Sequence, residues 1–470
     1  MLDENENREA VNFEQVQEQW SDELTSLLDS RNMKGLQRRM EEMNEYDVAV
    51  FLSEIDDNRM PMVFRLLSKE TAADVFANFD APEQERIINS ITDAELAGIV
   101  EELYVDDAVD MMEEMPANVV KRIMRTATPQ TRNLINQYLR YPENSAGSIM
   151  TSEFVDLKKY MNVRESLARI RRIGEDKETI YVCFVISADR RLEGVVTVKD
   201  LLLADDEDVV EDLMDRNVIF ASTTEDQESV SEKFSDYDLV VMPVVDTEGR
   251  LVGIVTVDDI IDVMEQEATE DIEKMAGIVP SDKPYSRTEP LEIWKNRIPW
   301  LLFLMLSATF TSMILTTFED MLAVQAALVA FIPMLMGTGG NSGAQASTAV
   351  IRSLSLSDTE PKDALRVMWK EWRVALLCGL TLASVNFVKM LLVDGMLLRN
   401  DGVTIAVAAV VSLSIVFIVM FAKVVGSTLP IIAEKIGVDP AVMANPLIST
   451  VTDAVSLLIY LYIAKLILHI

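Results

Sequence analysis

Chemistry in this 470-residue sequence concentrates in its last apolar segment, 441–464. At 100° per residue Asn445, Ser449, Thr452, Asp453 and Ser456 fall on one stripe of a helix, with Leu447, Val451, Ala454, Leu458 and Leu461 opposite. One face is expected to be wet and the other to meet lipid or protein. Asp453 is the only acidic residue well inside any apolar segment. A carboxylate at that depth costs at least a few kcal/mol unless it faces water or a cation, so it marks an ion or solute path by default. The bland alternative is a structural acid paired with Lys389 or Lys423.

A second polar stretch, 333–348, reads Pro-Met-Leu-Met-Gly-Thr-Gly-Gly-Asn-Ser-Gly-Ala-Gln-Ala-Ser-Thr and lies inside 321–351, which has no charged residue. Exposed N–H and C=O groups are costly in hydrocarbon, so irregular backbone there must be buried in protein or line a water-filled cavity. The expectation is a broken span whose carbonyls near Gly337, Gly339 and Gly340 face a pore. The same small residues also suit a close crossing of two membrane helices. All the donors are hard oxygens, and the one histidine, His469, is at the C-terminal end. That argues for magnesium, calcium or manganese over zinc or copper, and a wide site with few carboxylates suits a hydrated magnesium ion best.

The elements that must position these groups are five apolar segments, 300–317, 321–335 with its polar continuation, 374–393, 402–422 and 441–464, each near the length needed to span a bilayer. Lys295, Arg297, Arg352, Lys362, Arg366, Lys370, Arg373, Lys423 and Lys435 fall on one side, which is therefore cytoplasmic. From Lys295 onward 12 basic and 11 acidic residues nearly cancel, so essentially the whole net charge of −35 sits in the first 294 residues. Such a field repels nucleic acid and attracts cations. The acidic start has no signal-peptide pattern, so the N-terminal part is expected to stay in the cytoplasm. The two cysteines, Cys183 and Cys378, form no metal-ligand spacing.

Residues 14–141 read as helix throughout, with similar segments about every 24 residues, as in a small α-solenoid. Asp56, Asp57, Asp80, Asp93, Asp106, Asp107 and Asp110 cluster near its helix ends as caps, solvated faces or partial cation ligands. From about Asn144 a strand–turn–strand–helix pattern occurs twice, at 179–200 and 239–259, each copy with a Met-containing lead-in (Ser148-Ile-Met-Thr and Asp212-Leu-Met-Asp). This resembles a tandem CBS-domain pair. Such pairs commonly bind adenine nucleotides such as ATP, and the resemblance places ribose-binding carboxylates at Asp200 or Asp259, with Thr197 or Thr256 three residues before. Those four residues would cap helices in any case. The second copy runs on into an acidic helix, 258–275, with Gly277 as its expected C-cap.

With the Gly-Thr-Gly-Gly-Asn-Ser-Gly-Ala-Gln stretch, the Asn-Pro and Thr-Asp pairs of the last span and the CBS pair before five spans, the chain resembles the MgtE family of magnesium channels and transporters. The fold class is then a multidomain membrane protein: an α-helical solenoid (1–143), a tandem CBS pair of α+β type (144–265), an acidic connecting helix and linker (266–295) and a five-helix transmembrane domain (296–470). The resemblance implies a homodimer in the plasma membrane, with a pore at the subunit interface where two copies of Asp453 face hydrated Mg2+. Asn445 and Ser449 would line its cytoplasmic side, with Gly337, Gly340 and Asn341 from the polar stretch. It implies closure by intracellular magnesium at Asp226, Glu228, Asp238, Asp259, Glu267, Glu270 and Asp271, and leaves Ala344, where family members often carry an amide, without an assigned role. A coupled divalent-cation carrier is the first alternative, disfavoured because no second broken span is evident. A membrane-anchored CBS sensor is the second. No nucleophile, base or metal-ligand cluster suggests an enzyme.

Overall fold

The computed structural model describes residues 13–470 apart from 57, 282–284, 286–287, 356–358, 398–401, 444 and 470; the side chains of 13–19, 395–396, 443 and 445 are likewise outside the description. Asp57 is one of these positions. The chain divides into two units, Met1–Val263 and Met264–Ile470.

The first unit begins with ten helices, α1 (Phe13–Asp29), α2 (Met33–Met40), α3 (Glu45–Glu54), α4 (Met60–Phe64), α5 (Lys69–Ala77), α6 (Ala81–Ser90), α7 (Asp93–Glu102), α8 (Val105–Glu114), α9 (Ala117–Thr126) and α10 (Pro129–Tyr138). Their starts are written locally. Asn44, Ser68, Thr92 and Thr128 each accept a backbone N–H at the helix head, and Thr92 with Glu95 closes a capping box. Each helix packs on the one two further along (α3 on α5, α5 on α7, α7 on α9; α4 on α6, α6 on α8, α8 on α10), as a superhelix of short units requires.

Two three-stranded sheets follow. In the first, β1 (Asp156–Leu157) runs parallel to β2 (Val182–Ile186), which pairs antiparallel with β3 (Leu192–Thr197); α11 (Val163–Ile173), α12 (Val198–Leu203) and α13 (Val210–Leu213) complete that copy. The second repeats it with β4 (Ala221–Ser222), α14 (Gln227–Tyr237), β5 (Val241–Val245), β6 (Leu251–Thr256) and α15 (Val257–Met275). Even the bulge recurs, between Val185 and Ile186 and between Val244 and Val245. The copies exchange their lead-ins. Met150-Thr151 lies on Gly253 and Met214-Asp215 on Gly194, so close that an added Cβ would come within 2.7 Å of the Met150 sulfur or 2.9 Å of the Met214 sulfur. Their surroundings differ. The first copy has a core of its own around Val155, Cys183 and Val196, whereas Val230, Met242, Val255 and Ile260 of the second share one core with the N-terminal helices.

The second unit contains the rest of α15, then α16 (Pro290–Thr317), α17 (Glu319–Val324), α18 (Ile332–Ser355), α19 (Ala364–Lys389), α20 (Ile405–Lys435) and α21 (Asn445–Leu468). Among the described residues four helices are long and apolar enough to cross a membrane: 290–317, 361–394, 405–435 and 446–468. α18 is a fifth long helix, packed on α20 and α21, with more glycines than any of those four.

The expected break is corrected here. The polar stretch 333–348 is continuous α-helix, and the irregular backbone lies before it, in the 3-10 turn Ala326–Phe331. A helix satisfies its own amides, which removes the reason to expect bare carbonyls; the glycines instead let helices touch. A Cβ on Gly339 would lie 2.6 Å from Ser456 Oγ, one on Gly343 2.7 Å from a methyl of Ile448, and one on Gly426 would meet the carbonyl of Gly343. With no broken span, the absence of a second one no longer separates channel from carrier. Lys423, expected in a loop, lies inside α20, 6% exposed.

Candidate functional site

α21 carries Asp453 half-buried, with Ser449 one turn before it. The expected wet stripe is narrower than the sequence pattern. Thr452 and Ser456 are fully buried, Thr452 donating to the Ile448 carbonyl at 2.8 Å and Ser456 lying against Gly339, because this edge of α21 is the crossing with α18. Ser449 faces Gly340, whose Cβ position is 3.5 Å from the Ser449 hydroxyl. Asn341 is exposed beside Gly340 on α18, and Gly337, a turn earlier, faces open space. The side chain of Asn445 lies outside the described residues. Ala344 is half-exposed, between Asn341 and Thr348 on the open side of α18.

Both lysines that could have neutralised Asp453 are engaged elsewhere. Lys423 lies 3.9 Å from Glu371 and Lys389 2.9 Å from Asp394, and among the described residues no group pairs with Asp453. Nor does any set of three or more His, Cys, Asp or Glu side chains among them form a metal cage. Among the described residues the groups at Asp453 are its own carboxylate and, one turn before, the Ser449 hydroxyl, too few oxygens to strip an ion of its water.

The two CBS copies build the same box and place it differently. Thr197 accepts from the Asp200 N–H at 3.1 Å and donates its hydroxyl to Asp200 Oδ2, and Thr256 donates its hydroxyl to Asp259 Oδ2. Asp200 is exposed. Beside it stands Tyr181, 70% exposed, whose carbonyl accepts from Val198 N at 3.0 Å. The equivalent position in the second copy is Val240, whose carbonyl accepts from Val257 N. Tyr181 was not among the sequence candidates; its one signal was an aromatic side chain at a strand edge, opposite an aliphatic one in the repeat.

Asp259 instead faces acids of the first unit. Burial raises its pKa, and Asp258 and Asp262 add to the shift. Burial also raises Asp107 to about 6, with Asp259 and Asp74 contributing, and holds Asp106 well above the usual carboxylate range, with Asp107, Asp259 and Glu178 contributing. Loss of hydration, then Glu113 and Asp107, moves Asp110 to about 7. Glu178 is likewise pushed to about 7, by burial first and then by Asp259 and Asp258. One oxygen of Asp106 is buried without a hydrogen bond. These acids come from α8, the loop before β2 and the head of α15, and they repel one another without converging at coordination distance. Nothing in the sequence pointed to Glu178, because its partners are far away along the chain.

The remaining candidates divide between the two units. Asp226 caps α14 by accepting from Glu228 N at 3.0 Å, Glu228 is exposed, and Asp238 ends the helix at φ 50° with its side chain exposed. On α15, Glu267 is half-buried and Asp271 accepts from Ser355 Oγ at 3.3 Å. Burial, then Asp439, raises Asp271. Glu270 is held at 2.5 Å by Lys274, which also reaches Asp439 at 2.6 Å. One of the acids assigned to metal thus already has a cation from its own helix. Gly277 ends the helix at φ 71° as expected, with Ile278 N donating to Glu273 O.

A helical domain and a CBS pair ahead of a bundle of long apolar helices define a multi-pass membrane protein with cytoplasmic N-terminal domains. Residues 332–463 match the family described as a divalent cation transporter, 43–144 the MgtE intracellular N domain, and 146–207 and 210–266 the CBS domain. The chain is 39% identical to the magnesium transporter MgtE of Thermus thermophilus over 97% of its length and 100% of that protein. It is 30% identical to the one from Bacillus subtilis over 94% of its length and 96% of that protein. The crystal structure of the soluble part of a magnesium transporter superposes with a TM-score of 0.52 at 28% identity, covering 54% of this chain and 99% of that one. The chain belongs to the MgtE family.

Proposed function

We propose that the protein is a magnesium-selective channel that admits Mg2+ down its electrochemical gradient and closes when intracellular Mg2+ occupies its acidic cytoplasmic domains. The observation that carries this reading is Asp453: a carboxylate inside a spanning helix, with both candidate lysine partners committed to other acids. A charge kept unpaired at that depth needs a mobile counter-ion. One chain offers too few oxygens for a cage, so a homodimer placing two Asp453 side chains about one hydrated ion completes the site. Gly340, Asn341 and Ser449 fit its cytoplasmic approach, and α18 serves as the fifth span.

Closure follows from the strained acids. Asp106, Asp107, Asp110, Glu178 and Asp259 repel when metal is scarce, and divalent ions that draw them together stabilise the closed arrangement. An ion binding the closed state about tenfold better shifts gating by about 1.4 kcal/mol, so several suffice. The exposed box of Thr197 and Asp200 with Tyr181 suits an adenine nucleotide, the carboxylate taking the ribose and the ring stacking on the base. Thr256 and Asp259 serve the cation instead.

The test is magnesium influx and single-channel current at low internal magnesium. Asp453→Ala should lower the flux more than tenfold while reaching the membrane; unaltered selective conduction by that variant would remove Asp453 from the pathway.

A further inference from the structure

An open groove of about 630 Å³ runs along the second unit between α19, α20 and α21, with Trp372, Phe417, Phe421, Val424, Leu458 and Tyr462 among its lining. Trp372 marks its cytoplasmic end, at the level where Lys423 meets Glu371, and Tyr462, in edge contact with Phe318, marks the other. Its walls carry almost no polar surface.

Its cytoplasmic mouth is charged. Trp369 stacks on Trp372 at 5.1 Å with the rings 9° apart, and the Arg373 guanidinium lies 5.8 Å from the Trp369 ring centre. Arg373 and Lys370 are both exposed, and among the described residues no carboxylate pairs with either. Glu371 is the acid between them, and it faces Lys423. A stacked cation is held in place at little cost in side-chain freedom. A groove fit for a hydrocarbon chain therefore ends near one fixed cation, Arg373, with the exposed Lys370 one turn before it on α19, where the cytoplasmic headgroups begin.

We infer that this groove binds an anionic phospholipid of the cytoplasmic leaflet, with an acyl chain along Phe417, Phe421 and Leu458 and its phosphate between Lys370 and Arg373. Basic pockets between membrane helices on the cytoplasmic side select such headgroups, each cation near the surface contributing about a fivefold preference. The groove lies on the far side of α21 from the ion path: Leu458 and Tyr462 stand about 140° and 180° round the helix from Asp453. That choice of lipid over a second copy rests on the reading of Asp453 as the face where subunits meet.

The experiment is native mass spectrometry of the delipidated full-length protein in an equimolar mixture of phosphatidylglycerol and phosphatidylcholine. The parent should retain phosphatidylglycerol about twenty-five-fold over phosphatidylcholine, a Lys370→Gln, Arg373→Gln variant should keep bound lipid but lose the preference, and Leu458→Trp should lose both lipids. Equal retention by the parent, or an undiminished preference in the double variant, overturns the inference. Thiol crosslinking in membranes, with Cys183 and Cys378 replaced by Ser, separates the two readings. High-yield dimers through Leu458→Cys would assign the groove to a subunit contact and overturn it. Dimers through Asp453→Cys alone support both readings, and their absence with lipid preference intact supports the lipid site while removing the dimer geometry.

Discussion

The two CBS copies share strand order, register, bulge and a Thr-x-x-Asp box, yet one box is exposed beside Tyr181 and the other is turned toward the acids of α8. The difference comes from what covers each. Beside the core the two copies share around Phe184 and Ile254, the first copy has one of its own, while the second packs into the core of the N-terminal helices, so Asp259 is drawn into a partly desolvated acidic neighbourhood. A repeated motif fixes the local hydrogen bonds; the neighbours decide whether its carboxylate faces solvent or other carboxylates.

The comparison breaks most readily at the cation. Asp107→Asn with Asp259→Asn should abolish most of the stabilisation of the full-length protein by millimolar magnesium, whereas Asp200→Asn should leave it within twofold, as read from thermal unfolding with and without the metal. Equal losses would mean the boxes are equivalent after all.

Nucleotide binding tests the other half. Tyr181→Val should weaken ATP about tenfold or more, since stacking on an aromatic ring contributes roughly 1–3 kcal/mol per base. Val240→Tyr should create no second site, because Asp259 stays among carboxylates. Calorimetric titration of both variants distinguishes these outcomes, and a second equivalent of ATP on Val240→Tyr would contradict the assignment.

A smaller effect is expected with pH. Asp107, Asp110 and Glu178 have folded pKa values of about 6, 7 and 7, above the unfolded carboxyl range, so the folded state binds more protons between about pH 4 and 7. Metal-free protein should therefore lose stability as pH rises through that window, by several degrees in Tm, and saturating magnesium should flatten the curve. A metal-free Tm that rises with pH there would contradict the crowding of these acids.

The smallest expected difference is between the caps. Thr197→Ala and Thr256→Ala should each cost about 1 kcal/mol, the buried Thr256 somewhat more, as measured by denaturant unfolding.

Much of this architecture was legible in the chain. The strand–turn–strand–helix unit repeated at 179–200 and 239–259 carried the resemblance to a CBS pair because a short unbroken apolar run reads as a buried strand, and Gly277 announced its cap by being a glycine after an acidic helix. The polar stretch misled, because glycine, serine and asparagine signal both bare backbone and close helix contact. Only the facing residues Ser456, Ile448 and Gly426 select between these. Lys423 resembled a loop cation until α20 proved to continue past it to Lys435.

What the sequence determined by itself is whatever depends on neighbours a few residues away: helix starts, the repeated apolar strand runs, the depth of Asp453, the one-sided charge of the cytoplasmic part. Tertiary structure decided which carboxylates share a neighbourhood, since Asp107, Glu178 and Asp259 meet only after three distant segments fold together. It also decided which cations are already taken. Lys274 on Asp439, and Lys423 beside Glu371, are pairings set by through-space distance. Electrostatic energy falls with distance in space, and separation along the chain does not fix that distance.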